Sequence, residues 1–227
     1  MEIGSVAALA IRPARSLPPQ RVGHAVALEG AGLAGDVHAD PLSPRQLLLA
    51  GSPAYEALAL PAHTLRENLL LDLDTARLRS GTVLQVGRDV RLRLMFQCEA
   101  CGRLDLQRPG LARVLGARRG MLARVVAGGE MRPGDRVLDL GPQMSPWSDD
   151  WRERVLSLLK AVPQECVIEY AQLARLAGIA STYCRAFPAL LRKLEPRYAL
   201  RAVARGAAPE RPRWDGRGWF GDGVDGP

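Results

Sequence analysis

The chain has 227 residues, of which 47% are hydrophobic and 24% are charged. This length accommodates one large domain or two unequal ones, and the composition excludes a chain that is mainly disordered. No stretch approaches the roughly 18 consecutive apolar residues that a membrane helix requires, which excludes a membrane-spanning protein. The N-terminus lacks the early basic region of a secretory signal, so we predict a cytoplasmic protein with no membrane partner.

Positive charge is unevenly distributed along the chain. The net charge is +7, and all but two of the 31 basic side chains are arginines. Residues 170–213 contain nine basic and two acidic side chains, whereas the rest of the chain is nearly balanced. A mildly basic protein with one concentrated basic segment is compatible with an anionic partner such as nucleic acid.

Short apolar runs rich in valine and leucine dominate the first 145 residues. They occupy residues 6–11, 22–28, 46–50, 69–73, 83–86, 90–95, 122–126 and 136–140. Glycines suited to turns separate several of the runs, at positions 81, 87, 128, 129 and 134. This spacing predicts a closed or strongly curved antiparallel sheet, with two short helices at 53–59 and 111–116.

The period of the pattern changes within the stretch 140–151, which combines glycine, prolines and acidic residues. Beyond it, apolar residues at helical spacing predict a helix over 151–162 with Ser148 as its N-cap. A second predicted helix covers 169–177, and a third apolar and basic segment covers 182–194. This layout is typical of a helix-turn-helix, followed here by an expected two-stranded wing around 198–203.

We place the domain boundary near Ser145. The predicted fold class is α+β, mostly β, with a β-barrel domain at 1–145 and a small winged helix-turn-helix domain at 146–227. The glycine-rich tail 214–227 is expected to be loose, with docking of Trp214, Trp219 and Phe220 on the body as the alternative.

Cys98 and Cys101 form a closely spaced pair, whereas Cys166 and Cys184 stand alone among apolar neighbours and are interpreted as small core residues. Basic residues follow the pair at Arg103, Arg118 and Arg119, and nearby positive charge makes a thiol a better nucleophile or soft-metal ligand. A thiolate can also carry a persulfide sulfur.

Three alternatives to a soft-metal ligand or a sulfur carrier stay open. A structural zinc site would need two more ligands, which only His24, His38 or His63 could supply. Thioredoxin-like chemistry would need a βαβ unit, and the sequence contains no sign of one. The third alternative is a purely structural pair in a barrel strand.

A series of short motifs runs in a fixed order through the first 140 residues. They are Gly32, Leu33, Gly35, Asp36 and His38; Arg45 and Gln46; Arg66, Glu67, Asn68 and Leu69; residues 81–87; residues 98–101; Arg118, Arg119 and Gly120; and residues 128–135. This order resembles the MOSC domain, a family named for the C-terminal domain of molybdenum cofactor sulfurase.

The resemblance implies a β-barrel whose cysteine binds the metal of molybdenum cofactor (molybdopterin) or carries sulfur to it. Cys101 matches the family's cysteine best, although Ala100 replaces a proline, and Cys98 would be an auxiliary thiol. Further cofactor-binding residues are implied at one end of the barrel. They are Asp36, His38, Arg45, Asn68, Arg118 and Arg119, with Glu67 beside them. Turn formation, strand capping and solvation are the alternative roles of these side chains.

An enzyme of this kind would be a molybdenum cofactor-dependent oxidoreductase or a sulfurtransferase acting on the cofactor or a small-molecule substrate. The expected partners are a cysteine desulfurase or an electron-transfer protein. The chain's two lysines, Lys160 and Lys193, lie in its C-terminal half without a supporting motif. Any pyridoxal phosphate would therefore belong to the desulfurase partner.

Residues 162–194 resemble the DNA-binding domain of O6-alkylguanine-DNA alkyltransferases and alkyltransferase-like proteins. Tyr170 matches the tyrosine that contacts the DNA backbone in that family, and Arg185 matches the arginine that helps to flip a base. The alternative function is therefore non-enzymatic DNA binding or recognition of alkylated bases. A module for protein contact and a structural cap are the other interpretations.

Three features of this segment depart from the alkyltransferase pattern. The Pro-Cys-His-Arg tetrapeptide that supplies the methyl-accepting thiolate is absent, and residues 200–203 stand in its place. We therefore predict that the chain is not an active alkyltransferase. One extra residue separates Gly178 from Arg185, and Pro188 would disrupt a helix unless it begins one.

Overall fold

The computed structural model describes residues 1–102 and 104–221. It divides into two compact units. The first consists of Met1–Pro41 and Arg45–Trp147, and the second of Leu42–Pro44 and the chain from Ser148 onward. Arg103, expected to influence the cysteine pair, and the last six residues of the predicted loose tail lie outside the described residues.

The first unit is built mainly of strands. These are β1 (Glu2–Ile11), β2 (Gln20–Val22), β3 (Ala25–Leu28), β4 (Gly32–Leu33), β5 (Leu47–Gly51), β6 (Leu69–Leu71), β7 (Thr82–Val86), β8 (Val90–Gln97), β9 (Met121–Ala127), β10 (Gly129–Met131) and β11 (Arg136–Pro142). Two helices, α1 (Ser52–Leu58) and α2 (Leu111–Leu115), and two 3-10 turns, Thr75–Arg77 and Gly116–Arg119, complete it.

Seven strands close into a barrel in the order β1-β11-β7-β8-β9-β5-β6 and back to β1. β1 is long enough to pair with β11 near its start, with β6 in its middle and with β2 at its end. The predicted barrel is therefore present, but its pairing is not purely antiparallel. β5 and β6 are parallel because the chain crosses between them through α1.

The barrel interior is filled by the apolar side chains that the sequence pattern singled out. Leu9, Leu49, Leu69, Leu92 and Val125 come from five different strands and are fully buried in one cluster. Each buried leucine contributes about 2 kcal/mol through removal of apolar surface from water. A smaller apolar cluster forms beneath α1 and α2.

A second sheet, in the order β10-β3-β4, lies in the same unit. The apolar run predicted as one strand over 22–28 is divided into β2 and β3, with only β3 in this sheet. Its partners β4 and β10 have two and three residues, which is too short for a periodic pattern. The sheet positions the glycine-rich segment that leads from β4 to Asp36.

The second unit contains α3 (Trp151–Ala161), β12 (Ile168–Glu169), α4 (Tyr170–Leu176), a 3-10 segment (Ser181–Ala186), α5 (Phe187–Leu191), α6 (Pro196–Ala199) and β13 (Ala202–Val203). Pro188 lies in the first turn of α5, where proline is tolerated.

The N-cap of α3 is Asp150, whose side chain accepts a hydrogen bond from the backbone N–H of Arg152. The prediction of Ser148 as the N-cap is wrong, because the Ser148 hydroxyl instead accepts from the backbone N–H of Asp150.

The expected two-stranded wing around 198–203 is also wrong. Proline starts α6 at position 196, and β13 pairs in parallel with β12, which precedes α4. Two helices do follow one another through a short connection, and the helix-turn-helix part of the assignment stays a prediction. Within the described residues, no helix has the length and apolar character to cross a bilayer.

Candidate functional site

A buried carboxylate, Asp36, organises one part of the first unit. Gly35 precedes it with a φ of +76°, a conformation that glycine adopts without strain. Oδ1 of Asp36 accepts from the backbone N–H of His38 at 2.8 Å, and Oδ2 accepts from the backbone N–H of Arg12 at 2.9 Å. Oδ2 also accepts from the side-chain amide of Asn68 at 2.8 Å.

The same network fixes the ionisation of Asp36 and the orientation of His38. Burial alone would raise the pKa of Asp36, but the hydrogen bonds from His38 and from the backbone of Arg12 outweigh burial and lower it. Nδ1 of His38 lies 3.0 Å from Oδ1 of Asp36, while Nε2 contacts the Arg12 guanidinium. Because an arginine can only donate, Nε2 must be the acceptor and Nδ1 carries the proton.

Asn68 is predicted to bind cofactor, and the structure gives its side chain other partners. Its Oδ1 accepts from the Leu48 backbone N–H at 3.1 Å, and its Nδ2 donates to Asp36 and to the Ala10 carbonyl. The residue therefore ties β1 and β5 to the start of β6. These hydrogen bonds explain why an asparagine occupies position 68, and the explanation requires no contact with a ligand.

The two cysteines of the pair have different environments. Cys98 follows β8 and is buried, with 5% of its surface exposed, and its backbone N–H donates to the Gly120 carbonyl at 2.8 Å. Nη2 of Arg45 lies 4.0 Å from its sulfur. Cys101 is exposed in the following loop. The structure thus places a guanidinium beside the buried sulfur and leaves the other thiol accessible.

Arg118 and Arg119 also differ, although both lie on the same 3-10 turn. Arg118 is half-buried and donates to the Val114 carbonyl of its own helical segment at 2.7 Å. Arg119 is only 7% exposed. Its buried Nε and Nη1 have no hydrogen-bond partner among the described residues. Most buried polar groups are paired, so two unpartnered donors on one buried cation require an explanation.

A second buried carboxylate, Glu67, lies next to Asn68 in the chain and is 2% exposed. Its Oε2 accepts from the Tyr55 hydroxyl at 2.5 Å, and its Oε1 lies 3.3 Å from Nδ1 of His63. Burial raises the pKa of Tyr55, and the charge on Glu67 raises it further. The sequence singled out Glu67, but it gave no signal for Tyr55 and suggested His63 only as a zinc ligand.

The Tyr55 hydroxyl also connects this cluster to Arg119. The positive charge of Arg119 lowers the pKa of Tyr55, whereas the negative charge of Glu67 raises it. Arg119 is therefore within electrostatic range of the Tyr55–Glu67 pair. In the part of the chain that the structure describes, no three His, Cys, Asp or Glu side chains are grouped closely enough to form a metal site.

The residues predicted to contact DNA lie in the second unit. Tyr170 begins α4, and its ring packs edge-to-face on Phe187 at 5.5 Å between centroids. Burial raises the pKa of Tyr170. Arg185 is exposed on the 3-10 segment before α5. Cys184, interpreted as a core residue, is half-buried, and its thiol donates to the Tyr170 carbonyl.

Much of the concentrated basic charge of this unit is used within the unit. The Arg211 guanidinium donates to the carbonyls of Gln164, Glu165, Cys166 and Leu200. Arg201 and Arg213 likewise donate to backbone carbonyls. A basic composition is therefore not equivalent to a free basic surface here.

The match to a protein family lies almost entirely in the first unit. The family model of the MOSC domain matches residues 43–138, which is less than half of the chain. The seven-stranded barrel agrees with a MOSC-like barrel. No curated protein matches this chain in sequence.

Two solved structures illustrate the likeness in fold. The YUAD protein from Bacillus subtilis matches with a TM-score of 0.51 at 16% identity, over 59% of this chain and 93% of that one. YiiM from Geobacillus stearothermophilus matches with a TM-score of 0.53 at 13% identity, over 82% of this chain and 98% of that one. At such identities the likeness extends to the fold alone, and none of these similarities concerns alkyltransferases.

Proposed function

We propose that the first unit binds molybdenum cofactor near the end of β8, with Cys101 as the thiol that meets the metal. The match of residues 43–138 to the MOSC domain supports this class of ligand. The observation that carries the proposal is the state of Arg119, a buried cation with two unpartnered N–H donors among the described residues. Buried N–H donors without hydrogen-bond partners are costly, and an anion that accepts from them would remove that cost.

The donor set fits an anionic pterin. A guanidinium donates charge-assisted hydrogen bonds to phosphate oxygens. Nε and Nη1 of Arg119 are available for such bonds, and Arg45 supplies further positive charge beside Cys98. In this proposal Asp36 and Asn68 act as positioning residues because their polar atoms are occupied by protein partners.

The thiols suit the soft metal of the cofactor. Thiolates are preferred ligands of soft metals, and Cys101 is exposed, so a metal could reach it. Cys98, held by the Gly120 carbonyl and next to Arg45, stays the auxiliary thiol. The bound cofactor would supply two-electron redox or sulfur-transfer chemistry.

The activity that follows is that of an oxidoreductase or a sulfurtransferase. A sulfurtransferase would receive sulfur from a cysteine desulfurase, and only that partner would hold pyridoxal phosphate. An oxidoreductase would instead receive electrons from a separate protein. Both roles require a partner to approach the exposed thiol of Cys101.

The pterin content of purified protein tests the role of Arg119. Protein made in cells that synthesise the cofactor should release a fluorescent pterin after oxidation, and Arg119→Gln should release at least tenfold less. Because the variant removes two buried donors that lack hydrogen-bond partners among the described residues, it should stay folded, and its melting temperature checks this. Arg113→Gln, an exposed arginine on α2, is the matched control and should retain pterin. Equal pterin in Arg119→Gln and wild type would contradict the proposal.

DNA binding by the second unit is the second candidate function. It is favoured by four exposed cations in the second unit, Arg185, Arg192, Lys193 and Arg205. Binding through phosphates should weaken steeply with salt, and Arg185→Ala should lower any preference for alkylated over unmodified duplex. Salt-insensitive binding, or an unchanged preference in Arg185→Ala, would contradict it. Alkyl transfer is not proposed, since residues 200–203 supply no acceptor cysteine.

A further inference from the structure

A cavity of about 300 Å³ opens on the first unit. Its lining residues come from three chain segments and are Pro18, Pro19, Pro61, Ala62, His63, Thr64, Arg66 and Gln107. None of the residues proposed above to contact the cofactor lines it. Its volume is at the lower end of the range for small-molecule sites.

The backbone of one wall is held in an unusual conformation. His63 and Arg66 have φ angles of +59° and +55°, in the left-handed region that non-glycine residues rarely adopt. Residues in this conformation are strained, and they cluster at active sites and ligand sites. Here both strained residues face the same cavity, and both carry side chains that can be cationic.

Protein contacts hold these two side chains in place. Nη2 of Arg66 donates to the Leu17 carbonyl at 3.3 Å, which fixes the guanidinium beside the Pro18–Pro19 segment. Nδ1 of His63 is buried and lies 3.3 Å from the carboxylate of Glu67, although it makes no hydrogen bond among the described residues. The other oxygen of Glu67 is occupied by Tyr55, so the carboxylate cannot turn away without losing that bond.

The remaining wall is largely apolar. Three proline rings and Ala62 present rigid hydrocarbon surface, and Thr64 and Gln107 add neutral polar groups. The Thr64 hydroxyl donates to the Pro61 carbonyl at 2.6 Å, which leaves its oxygen as an acceptor. A cavity with rigid apolar walls and a cationic edge selects a molecule that combines a flat apolar body with one negative group.

We propose that this cavity is a binding site for a small organic carboxylate with an aromatic or similarly flat body. Arg66 and His63 bind the carboxylate, and the proline walls cover the ring. The site goes beyond the cofactor role proposed above and does not depend on it.

Benzoate and its neutral isostere benzamide test the charge requirement on the full chain. Titration calorimetry or ligand-observed NMR should detect benzoate binding to the wild type, with benzamide at least tenfold weaker. Equal binding of the two probes, or no binding of benzoate, would overturn the proposal.

Two variants test the residues without straining the backbone further. Arg66→Gly and His63→Asn remove the guanidinium and the imidazole and replace them with residues that tolerate a positive φ, so both should stay folded. Each should weaken benzoate binding at least fivefold. Arg88→Gln is the matched control, since it removes one positive charge from the exposed turn between β7 and β8. This variant should bind benzoate as tightly as the wild type does. Unchanged binding in Arg66→Gly would refute the site.

Discussion

Oδ2 of Asp36 accepts a hydrogen bond of 2.8 Å from the side-chain amide of Asn68, across 32 residues of chain. Through Asn68 the bond reaches the Ala10 carbonyl of β1, and the same asparagine accepts from the Leu48 N–H of β5. The glycine-rich turn and the barrel wall are therefore joined at one buried polar contact. A change at either residue should affect the stability of the first unit.

Asp36→Asn is expected to destabilise the protein by about 3 kcal/mol. The carboxylate accepts from backbone N–H groups of Arg12 and His38, and an amide nitrogen at either position would leave a buried donor unpaired. Urea unfolding followed by circular dichroism measures the loss. The control is Asp89→Asn, whose exposed carboxylate faces Arg88 at 4.0 Å and should contribute less than about 0.5 kcal/mol. Similar losses in both variants would contradict this role.

The difference between wild type and Asp36→Asn should depend on pH. The pKa of Asp36 is lowered in the folded protein, so the contribution of the charge is complete above the unfolded value near 3.8 and disappears as pH falls through the lower folded value. Unfolding free energies should therefore differ more at pH 5 than at pH 3. A larger difference at pH 3 would show that burial, which raises the pKa, outweighs the hydrogen bonds.

Tyr55→Phe is expected to cost about 2 kcal/mol of unfolding free energy. The hydroxyl donates to buried Glu67 and accepts from the Leu65 N–H at 3.1 Å, so its loss leaves two buried groups without a partner. Thermal and urea unfolding measure the effect. Tyr198→Phe, on half-exposed Tyr198 in the second unit, should change stability by less than about 0.5 kcal/mol. Equal effects would be evidence against the Tyr55–Glu67 pair.

Gly120→Ala should be among the most damaging single changes in the barrel. Gly120 has a φ of +118°, and a Cβ there would lie only 2.3 Å from the Leu49 carbonyl oxygen. Gly134 also has a positive φ, at +90°, but its Cβ would meet open space. Gly134→Ala should therefore cost about 1 kcal/mol, and Gly120→Ala several times more. Comparison of their melting temperatures tests this difference, and equal losses would contradict the close approach.

The barrel strands could be predicted because their side chains face a single core. Runs such as 46–50 and 122–126 correspond to β5 and β9, whose leucines and Val125 are buried. The strands β4 and β10 could not be found, since elements of two or three residues have no periodicity. The wing around 198–203 was wrong because Pro196 starts a helix there and β13 pairs with a strand that precedes α4.

The candidate site was only partly accessible from the sequence. The order of the motifs identified Asp36, Asn68, the cysteine pair and the arginine pair. It did not show which of their polar atoms already have hydrogen-bond partners within the protein. Consecutive residues such as Arg118 and Arg119 look alike in a sequence, yet one donates to its own helical segment and the other is buried. The contact between Tyr55 and Glu67 depends on the packing of α1, which no local pattern specifies.

Molybdenum content tests the central claim most directly. The metal should be measured per chain in wild type, Cys101→Ser and the matched Cys166→Ser, all made in cells supplied with molybdate. The account predicts that wild type and Cys166→Ser retain equal molybdenum and that Cys101→Ser retains less than a tenth of it. Molybdenum in Cys101→Ser equal to that in the wild type, or a wild type without molybdenum, would contradict it.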